Sequence, residues 1–175
     1  MSVHLEVVRH DALSEFELAA IVQLCTQAFG EPFDEIIRLH TGGAHVLGTL
    51  DGVLVSHASW VPRLLQPDGL PMLQTAYVEE VATHPAYQKR GFGSAVMRRL
   101  AEEIQGFELG ALATGHIRFY ERLGWEVWRG KTAIRTPKGI IETPNETVMI
   151  LRLPSTPALD TSGLITAEWR EGELW

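Results

Sequence analysis

The stretch from Val81 to Leu100, V-A-T-H-P-A-Y-Q-K-R-G-F-G-S-A-V-M-R-R-L, constrains the fold more than any other part of the chain. It reads as a strand end, a His-Pro turn, a Gly-containing loop and an amphipathic helix. Gln88 to Gly93 has the form Q-x-x-G-x-G. Glycines let a backbone approach a ligand with no Cβ in the way. The unpaired N–H groups of a first helical turn then face that ligand, and the helix dipole favours an anion. Lys89 and Arg90 place positive charge at the same point. The physical reading is a pyrophosphate cradle, against the plainer alternative of a tight turn with a solvated basic pair. A dinucleotide-binding loop needs three glycines as G-x-G-x-x-G and a later acid, and a P-loop needs G-K-[ST]. Neither pattern is present.

A chain of 175 residues with 45% hydrophobic content has the size of one domain, 1–175, with a sizeable core. No apolar run approaches the roughly 20 residues of a membrane span. The start, M-S-V-H-L-E-V-V, alternates like a strand and lacks the pattern of a signal peptide. One cysteine, Cys25, forms no intramolecular disulfide, so a reducing, cytoplasmic compartment is expected. Cys25 sits within a helical pattern and reads as a small core residue rather than a nucleophile. A net charge of −7 argues against nucleic acid as partner and suits a cationic small molecule. The seven histidines are scattered in sequence, with no metal-ligand spacing, so no metal is expected.

Periodicity predicts a strand over 3–9 and a helix from Glu17 to Ala28, with Ser14 and Glu17 as a capping box. A short helix is expected over Phe33–His40. Ala44–Leu50 and Val53–Leu65 read as strands joined at Asp51–Gly52, and Pro67–Asp68–Gly69 marks another turn. Leu73–Thr83 is a strand and Gly91–Gln105 the helix after the loop. Leu109–Ala113 is a strand, Gly115–Leu123 a helix, and Trp125–Ala133 and Thr147–Leu153 the last strands. Residues 154–175 show no clear period and are expected to be a tail folded over the body. The fold class is α+β: a central mixed, mostly antiparallel sheet flanked by helices.

His84–Gln88 before the loop and Phe119–Trp125 after it, F-Y-E-R-L-G-W, together resemble the GNAT family of acetyl-CoA-dependent N-acetyltransferases. The first segment resembles that family's pyrophosphate-binding motif, the second its motif with a tyrosine acid. The resemblance implies the GNAT fold, acetyl-CoA as cosubstrate, and a dimer. It implies that Gln88, Lys89, Arg90, Gly91, Phe92, Gly93 and Ser94 hold the pyrophosphate, and that Val81, Ala82 and Thr83 contact the pantetheine arm and thioester. Val81 falls where the family has a β-bulge, whose freed N–H holds the oxyanion. Glu79 matches the general base that takes a proton from the substrate ammonium. Tyr120 matches the acid that protonates the departing thiolate. No activated nucleophile is apparent, so the amine attacks directly.

The ending, L-D-T-S from Leu159 and W-R-E-G-E-L-W from Trp169, resembles that of aminoglycoside 2′-N-acetyltransferases. Likeness extends to Gly42–His45, Tyr77–Glu79 and Leu109–Leu112. The resemblance implies a polycationic antibiotic held by carboxylates: the Trp175 terminus, Glu173, and Glu31, Asp34 and Glu35 after the first helix. Each charge-assisted bond is worth roughly 1.5–3 kcal/mol. Two features depart from that group. Glu80 stands where a glycine is expected, as a structural acid or a further substrate contact, and the segment Gly30–Thr41 is short. Both features suit a tighter site, as in the group's kasugamycin-acetylating branch, alongside deoxystreptamine antibiotics. Acetylation of a protein N-terminus or polyamine, and a non-catalytic acetyl-CoA sensor, remain the alternatives.

Overall fold

The computed structural model describes residues 3–33 and 42–175. The expected helix over Phe33–His40 lies almost wholly outside the described residues, as do Asp34 and Glu35. The chain packs as two compact units, Met1–Val61 with Val78–Glu103 and Pro62–Tyr77 with Ile104–Trp175.

In the first unit, β1 (His4–Arg9) runs antiparallel to β2 (Ala44–Leu50), with Val8 opposite His45. Strand β2 turns through Asp51 and Gly52 into β3 (Val53–Pro67), antiparallel to it. Both turn residues take left-handed φ, 51° and 78°, as a two-residue hairpin requires. Helix α1 (Glu15–Phe29) begins at the expected capping box: the Glu17 N–H donates to Ser14 Oγ at 3.2 Å, and the Ser14 N–H to Glu17 Oε2 at 2.8 Å. Such a cap contributes about 1 kcal/mol. Its buried face, Ile21, Leu24 and Cys25, forms one core cluster with Leu47 and Ala82. Helix α2 (Phe92–Glu103) lies so close over β2 that a Cβ on Gly48 would meet Val96 Cγ2 at 3.0 Å.

The second unit is built on a sheet that takes in residues 73–77 of β4 (Leu73–Thr83), whose remainder belongs to the first unit, with β5 (Leu109–Ala113), β6 (Glu126–Val127), β7 (Thr132–Thr136), β8 (Gly139–Glu142), β9 (Val148–Arg152) and β10 (Ile165–Glu168). Strand order is β6-β9-β5-β4-β3-β10-β7-β8. The pairs β4–β5 and β7–β10 are parallel, while β5–β9, β6–β9, β3–β10 and β7–β8 are antiparallel. Short helix α3 (Ile117–Glu121) follows β5.

Two expectations are corrected. The strand predicted over Trp125–Ala133 is two strands, β6 and β7. After Trp128 donates to the Val148 carbonyl, the N–H groups of Arg129 and Gly130 both turn to the Thr161 carbonyl, at 2.9 and 2.8 Å. Residues 154–175 are not only a surface tail. They supply β10, seated between β3 and β7, with Ile165, Thr166 and Ala167 buried. Four residues are too few to show a period of two in sequence. Among the described residues, no helix is long and apolar enough to cross a membrane.

Candidate active site

The centre of the first unit's candidate site is a break in β4. Glu80 has φ 50°, a left-handed value inside a strand. Extended residues have negative φ, and such a residue marks a bulge. The backbone there is gathered by side chains of β3. Ser59 Oγ donates to the Glu79 carbonyl at 3.1 Å, His57 Nδ1 lies 2.9 Å from the Glu80 carbonyl, and Ser56 Oγ donates to the Ala82 carbonyl at 3.1 Å. The left-handed Glu80 is the neighbour of Val81, the position at which the resemblance implies a bulge.

The two glutamates occupy different surroundings. Glu79 is half-buried. Glu80 is 8% exposed, and its Oε2 accepts from Ser59 Oγ at 2.7 Å. A carboxylate so buried needs partners of this kind. The same carboxylate acts on Cys25: burial first, then the Glu80 charge, pushes that thiol well above its ordinary range. Cys25 is a protonated core residue, as the sequence suggests.

Downstream, His84 donates its N–H to the Val55 carbonyl at 2.9 Å, and a 3₁₀ turn over Pro85–Tyr87 follows. Gln88 Nε2 reaches back to the Thr83 carbonyl at 3.3 Å. Lys89 and Gly91 are left-handed, at φ 60° and 86°, and α2 starts at Phe92. A Cβ on Gly91 would meet nothing within 4 Å, so the space over the loop is open and the glycine serves the backbone angle. Gln88 to Gly91 are exposed, Phe92 is buried, and Gly93 and Ser94 are half-buried in the first helical turn. Arg90 lies over the Tyr87 ring, 5.3 Å from its centroid. The start of a helix with two cations in the loop before it fits a pyrophosphate. Glu31, past the end of α1, is exposed.

Tyr120 belongs to the second unit, on α3. It is 7% exposed, with its ring edge-on to Phe119 and Trp125. Burial pushes its phenol up to about 12, so it carries its proton throughout the neutral range. That is the state required of a proton donor. At the chain's end the Trp175 indole is buried, and its Nε1 donates to Thr143 Oγ1 at 2.8 Å, while Glu173 is exposed. Arg63 holds the Leu174 and Glu168 carbonyls, each at 2.8 Å.

Sequence reading missed a set of residues around the bulge. His10, His45 and His57, far apart in the chain, form one row: His10 Nδ1 to His45 Nε2 at 2.9 Å, and His45 Nδ1 to His57 Nε2 at 2.9 Å. Register explains it. His45 stands opposite Ser59, which places His57 on the diagonal two residues away. The signal available in sequence was S-H-A-S, three polar residues within the apolar first half of β3. Among the described residues no group of His, Cys, Asp or Glu is placed to hold a metal ion.

Comparison with known proteins agrees with this architecture. Residues 9–128 match the model of the acetyltransferase (GNAT) domain. The chain is 33% identical over 162 residues to an aminoglycoside 2′-N-acetyltransferase of Mycolicibacterium fortuitum, covering 87% of this chain and 82% of that one. Among solved structures, the Escherichia coli GNAT N-acetyltransferase YhbS in complex with CoA superposes with a TM-score of 0.66 at 15% identity, covering 95% of this chain and 91% of that one. Escherichia coli ElaA gives 0.63 at 19% identity, covering 86% and 99%. With a family model spanning more than half its length and a relative matching most of it, the chain belongs to the GNAT family of acetyltransferases.

Proposed function

We propose that this acetyltransferase moves the acetyl group of acetyl-CoA onto the 2′-amine of an aminoglycoside-type antibiotic, of the kasugamycin or the deoxystreptamine class, and so confers resistance. The observation that carries the reading is the 33% identity to an aminoglycoside 2′-N-acetyltransferase across most of both chains. The acidic balance of the chain, −7, suits a polycationic acceptor.

Glu79 takes the proton from the substrate ammonium, since only the free amine attacks a thioester. The Val81 N–H, next to the left-handed Glu80, donates to the oxyanion formed on attack. Gln88 to Ser94 grip the pyrophosphate, and Ala82 and Thr83 line the pantetheine arm. Tyr120, neutral because it is buried, gives its proton to the leaving thiolate. The step balances without an acyl-enzyme: N–C forms and C–S breaks, Glu79 is neutralised by the ammonium proton and returns it to solvent, and the proton the nitrogen loses after attack replaces the one Tyr120 gives to the thiolate. Glu31, Asp34, Glu35, Glu80, Glu173 and the Trp175 carboxylate are assigned to the cationic substrate, and a homodimer working in the cytoplasm is the proposed form.

The test is CoA release by the purified protein, followed by thiol titration, with kanamycin, gentamicin, kasugamycin and a short peptide offered in parallel. Release with an antibiotic supports the proposal, and the pattern sorts the two classes. Release with the peptide alone replaces it with a protein acetyltransferase. Silence throughout, with acetyl-CoA still bound, replaces it with a sensor.

A further inference from the structure

The row of three histidines ends on a carbonyl, and that fixes its chemistry. A carbonyl oxygen only accepts, so His57 Nδ1 donates to Glu80 at 2.9 Å. In a neutral ring Nε2 is then an acceptor, and it takes its proton from His45 Nδ1. By the same step His45 Nε2 accepts from His10 Nδ1. With the three rings neutral, all are Nδ1–H tautomers with their donors aimed the same way. His45 and His57 are fully buried, and His10 is half-buried at the outer end.

The carbonyl at the inner end shares its peptide unit with the Val81 N–H. That unit is planar, and no peptide among the described residues is cis. Its C=O and N–H therefore point in opposite directions, and a grip on one sets the aim of the other. A donor on the carbonyl also polarises the amide, so the N–H on the far side becomes a stronger donor, and serial hydrogen bonds reinforce that effect. We infer that His57, backed by His45 and His10, is a positioning residue for acetyl transfer: it holds the Glu80–Val81 peptide so that the Val81 N–H faces the site of the oxyanion. This rests on the proposed role of Val81. The row also braces a left-handed backbone conformation that a residue with a Cβ seldom adopts.

Two measurements test it. The first is nitrogen-15 NMR of the histidine rings in the free wild-type protein, which needs no reaction. Nδ1–H tautomers for His10, His45 and His57 are expected, whereas the Nε2–H form at His57 overturns the inference. The second is kinetics of His57→Phe, which removes the donor, and His57→Asn, whose amide nitrogen stands near the place of Nδ1. His57→Phe should lower kcat on the order of a hundredfold, the scale of a lost oxyanion donor, with KM for acetyl-CoA nearly unchanged. His57→Asn should recover most of that loss. Equal loss in both variants, or a loss confined to KM, overturns the inference. Absence of transfer by the wild type to every acceptor sinks the functional reading instead, and the ring tautomers still report whether the peptide is held. Should His57→Phe not fold, His10→Phe cuts the row at its half-buried end, where a smaller kcat loss with unchanged KM is expected; no change there overturns the inference.

Discussion

Backbone carbonyls are gathered by side chains in both units, but with different donors. At the β4 bulge the donors are His57, Ser56 and Ser59, the single Ser59 proton being shared between the Glu79 carbonyl and the Glu80 carboxylate. In the second unit guanidinium groups are added to neutral donors such as Trp128, on the Gly163 carbonyl, and Thr132, on the Thr143 carbonyl. Arg63, with a side chain only 2% exposed, holds two carbonyls, faces Glu168 at 3.5 Å and lies 4.8 Å over the Tyr77 ring. Arg135 likewise holds the Thr166 carbonyl at 2.7 Å and the Leu64 carbonyl at 2.6 Å. A guanidinium offers five donors in a rigid fork, so one side chain can tie strands together where charge does no harm. A single N–H or O–H donor holds one peptide at one angle. The contrast separates backbone that is aimed from backbone that is merely held.

The sharpest way to break that distinction is at the bulge itself. Glu79→Gln should lower kcat by about 10²–10⁴ while thermal unfolding stays in place. Unchanged turnover removes Glu79 from the role of base. In the second unit the equivalent cut, Arg63→Met, should cost about 3 kcal/mol of stability in urea unfolding, because two carbonyls lose their donor. A cost near zero would mean the guanidinium holds nothing that matters.

Tyr120 gives a pH test. Its folded pKa, about 12, lies above the ordinary value of 10.0, so the folded state keeps a proton that the unfolded chain loses first. The stabilisation is fully present below pH 10 and is lost as pH rises towards 12, at about 1.4 kcal/mol per pH unit. Alkaline unfolding of Tyr120→Phe should lack that component, and an identical alkaline profile contradicts the assignment. The smallest effect is expected at Gly91→Ala, where no clash arises and only the left-handed angle is strained, by about 1–2 kcal/mol. Acetyl-CoA affinity should fall while stability elsewhere holds; unaltered affinity would show that the loop angle is irrelevant to the cosubstrate.

What could be read from sequence was what residues state locally. The Ser14–Glu17 cap, the Asp51–Gly52 hairpin and the Gln88–Gly93 loop each announce a backbone conformation through the residues that need it. The left-handed Glu80 announces nothing, because glutamate has no preference for that region, and only the family resemblance placed a bulge beside it. The histidine row was invisible for another reason. His10 and His45 are 35 positions apart, and His45 and His57 are 12 apart, so their contact depends on strand register. Strand β10 failed on length: its place is set by neighbours on both sides, not by its own four residues.

That placement bears on how the chain is made. Strand β10 lies in the interior of its strand order, and Thr166 Oγ1 donates to the Gln66 carbonyl, a partner 100 residues earlier. During synthesis, β3 and β7 emerge with a gap between them that only the late residues 165–168 can fill. Long-range pairing of this kind slows folding, because loop closure precedes any gain from contact. The pairing of the second unit's sheet is therefore incomplete until residues 165–168 are in place. A stalled or shortened chain would present two open strand edges from its middle rather than a frayed end, and such edges are what protein aggregation starts from.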